Sequence, residues 1–491
     1  MRALDWAVIL LYLAGITWFG ARFGRRQRTL RDYFLGGKTV PWWAIAFSIV
    51  STETSTLTVI GTPALAFAGN FGFLQVVFGY LLGRIVIATL FLPHYFRGEM
   101  YTAYELMERR FGERVRRLTA GAFLLLRALA EGVRVFAISL VVSIVLGTGE
   151  FASIFLIICL TLFYTFEGGL TAVIWTEVAQ MLLYIAGAVA SLVVLAQMVP
   201  GGWVGIWEAG QAAGKFQIFD FALPTSREFF SRTYTFWAGL LGGCFLNTAS
   251  HGAEQLIVQR LLAARSLRDS RLALLASWAV IFLQFTLFLS IGVALYAFYS
   301  ASGMPAPQPA DRIYPEFVWR YLPPGVAGLT IAAILAAAMS THSATLNSLA
   351  STTVMDFVRP LAVGRSSGPL SDASALRLAR WVTVGWEAVM LAIAWLARKW
   401  GPVLEAGLSI ASVLYGSLLG AFLLGLLTHR AGQNAATVGM LAGLLVMLYV
   451  KAFTSVAWTW YALIGATTTF VVGGLFSLRR PESGHDGARR G

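Results

Sequence analysis

Apolar residues run along this chain in long blocks, and polar residues gather in short gaps between them. A block of about 20 residues is what an α-helix needs to cross a hydrocarbon core of about 30 Å; barrel strands would instead alternate over about ten residues. The pattern predicts thirteen spans, at approximately 5–22, 41–67, 72–96, 118–146, 151–166, 172–199, 234–254, 272–299, 325–354, 378–397, 403–428, 433–450 and 456–477. The first could pass for a signal peptide, but Phe19, Arg22 and Phe23 stand where small residues would mark cleavage, so it is read as a helix. The longest gap, 200–233, holds Gly201, Gly202, Trp203, Trp207 and Pro224 and reads as an outer loop with an interfacial helix. No gap would hold a separate domain of typical size. Residues 478–491 form a cytoplasmic tail, whose end, Pro481–Gly491, reads as disordered.

Composition sharpens the picture. Hydrophobic residues make up 57% and charged residues 12%, with a mean hydropathy of +0.71. That is too few charges to coat a soluble protein of 491 residues. Cys159 and Cys244 both lie in apolar runs, which argues against a disulfide framework or a cysteine metal site. The net charge of +13 would suit nucleic acid if it were clustered, but it follows topology instead. Of 37 Lys and Arg, 25 fall in the gaps on one side, 9 on the other, and Arg84, Arg127 and Arg134 inside spans. The positive-inside rule then places the N-terminus outside and the C-terminus in the cytoplasm of a plasma or inner membrane.

Lipid cannot satisfy free backbone groups, so a polar or glycine-broken stretch inside a span must line a cavity or another helix. The second span contains Ser51-Thr52-Glu53-Thr54-Ser55-Thr56 and Gly61-Thr62-Pro63; the seventh contains Gly242-Gly243-Cys244 and Asn247-Thr248-Ala249-Ser250-His251-Gly252. Each opens a five-helix unit, spans 2–6 (41–199) and 7–11 (234–428), with two further helices over 429–477. Paired broken helices in corresponding positions point to an inverted-repeat transporter with its site near the midplane. Such residues also serve plain helix packing. In the ninth span Ala337, Ser340, Thr341 and Ala344 share a helical face, whose small side chains and hydroxyl oxygens suit a monovalent alkali ion.

Other classes lack their signatures. No His-Glu-x-x-His cluster is present, the five histidines are dispersed, and no charge ring marks a channel mouth. The reading is therefore not an enzyme. Proton coupling keeps the transporter class and changes the ion, with Glu53, Glu177 or Glu254 as carriers.

The chain resembles the sodium/solute symporter family of sugar, proline, iodide, monocarboxylate, vitamin and sialic-acid transporters over nearly its whole length. Tyr164-Thr165-Phe166-Glu167-Gly168-Gly169-Leu170-Thr171-Ala172, Gln255-Leu256-Ile257-Val258-Gln259-Arg260, and Ser340 to Ser348 followed by Val354-Met355-Asp356 and Arg359-Pro360 carry the likeness. It implies an all-α membrane protein with a five-plus-five inverted repeat of the leucine-transporter type, one helix before and two after. It also implies a sodium site made by the carbonyls of Phe47, Val50 and Ala337 and the hydroxyls of Ser340 and Thr341, Thr341 standing where many members have serine. A second ion, which some members bind, would use Glu177 and Ser343, but Glu177 stands for an aspartate and Ala344 for a serine.

The solute, on the same resemblance, sits between the unwound parts of spans 2 and 7. Ser51, Glu53, Thr54 and Ser55, with Gln75, Asn247, His251 and Glu254, are the candidate contacts. Gln75 and Glu254 do not reproduce the sugar-binding pair of several members, although a sugar or amino acid stays open as the solute. Arg127, Glu131 and Arg134 stack on one face of span 4 by i, i+4, i+7 spacing. They form either a self-neutralising ladder or a place where Arg127 or Arg134 pairs a solute carboxylate bidentately. Sialic-acid members use an arginine in this helix, which favours an acid: sialic acid, a monocarboxylate or a vitamin. The partners implied are a small solute, Na+ and membrane lipid, not nucleic acid, with the oligomeric state open.

Overall fold

A computed structural model describes residues 3–24, 39–97, 103–164, 170–223, 227–358 and 372–479. The described chain is helical; its β-type pairing is a single bridge between Val40 and Ala264. The helices are α1 (Ala3–Gly24), α2 (Trp42–Glu53), α3 (Thr56–Ala68), α4 (Phe71–Tyr95), α5 (Ala103–Phe111), α6 (Glu113–Leu146), α7 (Glu150–Tyr164), α8 (Leu170–Met198) and α9 (Gly202–Ala212). There follow α10 (Gly243–Gly252), α11 (Gln255–Leu262), α12 (Leu267–Ser302), α13 (Ile313–Tyr321), α14 (Val326–Thr352), α15 (Asp372–Ala397), α16 (Val403–Leu427), α17 (Gln433–Phe453) and α18 (Tyr461–Arg479). Seven stretches, in α4, α6, α8, α12, α16, α17 and Trp458–Leu478, are long and apolar enough to span on their own, and α2 with α3 makes an eighth, bent by 65°. Shorter apolar helices lie within α1, α7, α14 and α15.

Polarity at one point explains the bend. Thr54 ends α2, donating its N–H to the Val50 carbonyl at 2.8 Å, and Ser55 adopts an extended backbone before α3 begins. Six hydroxyl and carboxyl side chains in a row compete with the backbone for hydrogen bonds. The second polar stretch behaves differently. The chain passes Ala238–Gly242 as a π-helical turn, runs helically through Asn247 and His251, and breaks only at Ala253–Glu254. The glycines there serve close packing: a Cβ on Gly239 or Gly243 would meet the backbone of Gln75 or Val76 on α4 at 2.6 or 2.4 Å.

Helices pack in two groups. One joins α2, α3, α4, α10 and α12; the other joins α6, α7, α14 and α15. Helix α8 touches α2 and α12 in the first group and α14 in the second, while α16, α17 and α18 pack on one another at the flank. Connecting segments also pair. Arg265 donates to the Thr39 carbonyl at 2.9 Å, and Arg110 to that of Thr428 at 2.9 Å. At other ends, Asp5 accepts the Gly325 and Gly328 N–H groups at 2.7 and 2.9 Å, Asp311 accepts that of Val403, and Phe230 that of Ala457.

Candidate functional site

A crevice opens where α2 gives way to α3. Ser51, Thr54, Ser55 and Thr56 supply one wall, Glu177 and Gln180 of α8 another, Glu131 and Arg134 of α6 a third, and Ala338, Met339, Thr341 and His342 of α14 the fourth. The break thus faces the small-residue stretch of α14 across the two packing groups. Of the sequence-derived site, Ser51, Thr54, Arg134, Glu177 and Thr341 meet here. Val50 is fully buried and Phe47 half-buried, one and two turns back from the break. Ala337, Ser340 and Ser343 lie on α14, with their side chains outside the described residues, as is the motif segment 165–169.

Buried charges surround the crevice in four sets. The first is Glu53, which accepts Arg84 Nη2 at 2.5 Å and stands 3.3 Å from His251 Nε2. Asn247 lies 3.2 Å from the same imidazole, and Arg84 Nε donates to Ser277 at 3.1 Å. Arg84 is fully buried and paired with Glu53.

The second set is Arg127, bonded to Glu254, both all but enclosed. Glu254 also caps α11 by accepting the Leu256 N–H. Arg127 and Glu254 therefore neutralise each other, and neither lines the crevice.

The third set closes on Glu177. Its Oε1 accepts Arg260 Nη2 at 2.5 Å and Thr52 Oγ1 at 3.3 Å, and its Oε2 accepts Ser48 Oγ at 2.6 Å and Arg260 Nε at 3.3 Å. A guanidinium occupies both oxygens of the carboxylate expected to hold a second ion.

The fourth set belongs to the crevice wall. Arg134 Nη1 donates to Glu131 Oε2 at 3.2 Å, but Glu131 also takes Thr345 Oγ1 at 3.3 Å and stands 3.2 Å from His342 Nδ1. His342 Nε2 in turn lies 3.2 Å from Glu387 Oε2 on α15. Arg134 Nε has no partner, and neither has Arg127 Nε, but of the two only Arg134 lines the crevice. So Arg84, Arg127 and Arg260 each hold a carboxylate, whereas Arg134 shares a crowded one and faces the crevice.

Gln75 lies elsewhere. Its amide donates to the Gly72 and Tyr234 carbonyls and its oxygen accepts the Asp220 N–H, which ties Asp220 and Tyr234 to α4. Sequence reasoning missed His342, Glu387 and Arg260 as site neighbours. Glu387 is a lone carboxylate in an apolar run, Val382 to Trp395, and that alone marks it.

Broken helix, facing small-residue helix and buried charges together define a multi-pass membrane transporter, not an enzyme. The sodium:solute symporter family model matches residues 33–443, and the chain belongs to that family: it is a sodium-coupled symporter of a small organic solute. Among similar proteins, the sodium/sialic acid symporter SiaT of Proteus mirabilis is 30% identical over 478 residues, covering 96% of this chain and 94% of its own. The sodium/sialic acid symporter NanT of Aliivibrio fischeri is 28% identical over 475 residues, 96% of this chain and 92% of its own. The human sodium-coupled monocarboxylate transporter 1 is 30% identical over 453 residues, 90% and 72% of the two chains. A solved Na+-coupled sialic acid symporter, in a substrate-bound outward-open state described with a novel Na+ site, superposes with a TM-score of 0.81 at 27% identity, over 97% of this chain and 98% of that one. Inward-facing Mhp1 shares the fold, with a TM-score of 0.55 at 16% identity over 90% and 92% of the chains.

Proposed function

We propose that this symporter imports a carboxylate-bearing solute together with one sodium ion, and that Arg134 binds the carboxylate. The carrying observation is the position of Arg134 on the crevice wall, with its one carboxylate shared with His342 and Thr345. Sialic acid and monocarboxylates, the solutes named for the similar proteins, have the carboxylate in common. A guanidinium binds that group through two parallel hydrogen bonds, so lysine substitutes poorly. Ser51 and Thr54 meet the solute from the break, while Glu53, Gln75, Arg127, Asn247, His251 and Glu254 hold the surrounding helices in place.

Sodium binds to the carbonyls of Phe47, Val50 and Ala337 and the hydroxyls of Ser340 and Thr341. Supporting this, α2 ends one turn past Val50, and Thr341 shares the crevice with Ser51 and Thr54. The Val50 oxygen accepts the Thr54 amide at 2.8 Å, and a carbonyl oxygen carries two lone pairs. With Glu177 committed to Arg260, one ion per solute is the stoichiometry of this reading. The sodium gradient supplies the driving force, and sodium favours the outward-open state only as far as it binds that state more tightly than the inward one.

The thirteen-span, five-plus-five architecture in an inner membrane, N-terminus outside, completes the proposal. Breaks at Thr54–Ser55 and Ala253–Glu254 fall in the first helix of each half. The paired connecting segments, Thr39 with Arg265 and Arg110 with Thr428 against Asp5 with Gly325 and Asp311 with Val403, sort as thirteen alternating crossings require.

Uptake into proteoliposomes under a sodium gradient tests the reading. Arg134→Gln should raise KM for an acid at least about 100-fold, the scale of a lost charge-assisted pair, and Arg134→Lys should recover little of it. Wild-type uptake by Arg134→Gln would overturn the carboxylate assignment. Full sodium dependence in a Ser340→Ala, Thr341→Ala double variant would overturn the ion site.

A further inference from the structure

Arg84, Arg127 and Arg260 are committed to their carboxylates. Arg84 and Arg260 hold theirs at 2.5 Å, and the three side chains are 0%, 6% and 5% exposed. Arg134 differs on both counts: its bond to Glu131 is 3.2 Å long and its side chain is 20% exposed. A guanidinium–carboxylate pair without competitors closes to about 2.7–2.9 Å. The competitors stand on the far side of Glu131, which is all but enclosed. His342 Nδ1 lies 3.2 Å from its Oε1, and Thr345 Oγ1 donates at 3.3 Å to Oε2, the oxygen that Arg134 also uses. His342 and Thr345 share one face of α14 by i, i+3 spacing. Behind the imidazole, Glu387 of α15 stands 3.2 Å from Nε2 and fixes the ring with its other nitrogen toward Glu131.

A buried carboxylate needs partners. Glu131 has one on its own helix, Arg134, and two more on α14, so it can give up the first without being stranded. We propose that Glu131 is a stand-in for the solute carboxylate. Without solute it occupies Arg134; when a solute carboxylate arrives, Arg134 turns to it through two parallel hydrogen bonds, and Glu131 passes to His342 and Thr345. One partner replaces another, so neither Arg134 nor Glu131 is left buried and uncompensated, which is the costly outcome for such pairs. Glu131 and His342 are thus positioning residues, which set how firmly Arg134 is held before the solute comes. The exchange also ties solute binding to the helix proposed to hold sodium, since Ser340 and Thr341 directly precede His342. It rests on the assignment of the solute carboxylate to Arg134 and adds the group that the solute displaces.

Sialic acid and pyruvate serve as probes of the purified full chain in sodium, with affinity read from thermal stabilisation. Glu131→Gln removes the competitor and should tighten binding of the acid that wild type takes by at least about threefold. His342→Gln and Thr345→Val remove the receiving groups. Made separately, so that one misfolded variant leaves the other, each should weaken binding at least about tenfold, the scale of a hydrogen bond to a charged group. In the Glu131→Gln background both losses should vanish, because neither residue then has a charge to receive. A merely structural role predicts the same loss in both backgrounds. The exchange falls, and the carboxylate reading stands, if Arg134→Gln abolishes binding while Glu131→Gln fails to tighten it, or while His342→Gln and Thr345→Val cost as much in the Glu131→Gln background as alone. If wild type binds neither acid, or Arg134→Gln binds as wild type does, the carboxylate reading falls and takes the exchange with it.

Discussion

Asp311 shows what one buried carboxylate costs outside the spans. It lies in the connector before α13, 3% exposed, and its Oδ2 accepts the Val403 N–H at 3.2 Å while Oδ1 has no partner. Burial first, and then the nearby Glu405 carboxylate, push its pKa up from 3.8 to about 6, against the opposing pull of the Val403 bond. Glu405 is itself bonded by the Tyr234 hydroxyl at 2.5 Å. A folded-state pKa above the unfolded one means stability is greatest below pH 4 and is lost as pH rises through 6. Two units correspond to about 3 kcal/mol. Asp311→Asn keeps an acceptor for Val403 and removes the charge. Unfolding midpoints in detergent between pH 4 and 7 should therefore show wild type losing about 3 kcal/mol relative to the variant; parallel curves would mean that the ionised carboxylate is fully accommodated.

At the scale of elements, polar letters and glycines proved legible to different degrees. Ser51 to Thr56 announced the break of α2 from α3 because no apolar residue interrupts the run, and lipid leaves such a run only a cavity to face. Gly242 and Gly243 suggested a break where the chain instead makes a π-helical turn, since glycine serves close approach as well as unwinding, and sequence alone does not separate the two. The real break, at Ala253–Glu254, carries one charge whose partner, Arg127, is 127 residues away. Pairings of this kind, like Arg260 with Glu177, depend on tertiary placement and were not readable. The close approach makes its own prediction. A Cβ on Gly79 would stand 2.4 Å from the Gly239 carbonyl oxygen, whereas one on Gly385 meets nothing within 4 Å. Gly79→Ala should destabilise by about 1–3 kcal/mol as α4 is forced off α10, and Gly385→Ala should stabilise by about 0.5–1 kcal/mol. Thermal unfolding of the two side by side decides it: equal midpoints would show that α4 and α10 repack without cost.

For the whole molecule the question is what must break when the crevice changes the side it opens to. Arg260 sits on α11, just past the second break; Glu177 sits on α8; Ser48 and Thr52 sit on α2, just before the first. The Arg260–Glu177–Ser48 contacts, at 2.5, 2.6 and 3.0 Å, therefore tie three helices together on the side of the crevice that the proposed topology assigns to the cytoplasm. Any opening toward that side has to separate α2 and α11 from α8, and with them this cluster. Truncating a buried pair leaves its partner uncompensated, so the closed arrangement loses stability relative to the open one by about 3–5 kcal/mol, enough to invert a two-state population. Arg260→Gln should accordingly favour the cytoplasm-open state and slow net accumulation of solute. A cysteine at Ser51, introduced after Cys159 and Cys244 are replaced, reports this directly: in inside-out vesicles an impermeant maleimide should label it about tenfold faster in Arg260→Gln than in the parent, with Glu177→Gln behaving alike. Labelling at the parental rate in both would mean that the cluster anchors helices without gating them, and that the cytoplasmic closure lies elsewhere along α8.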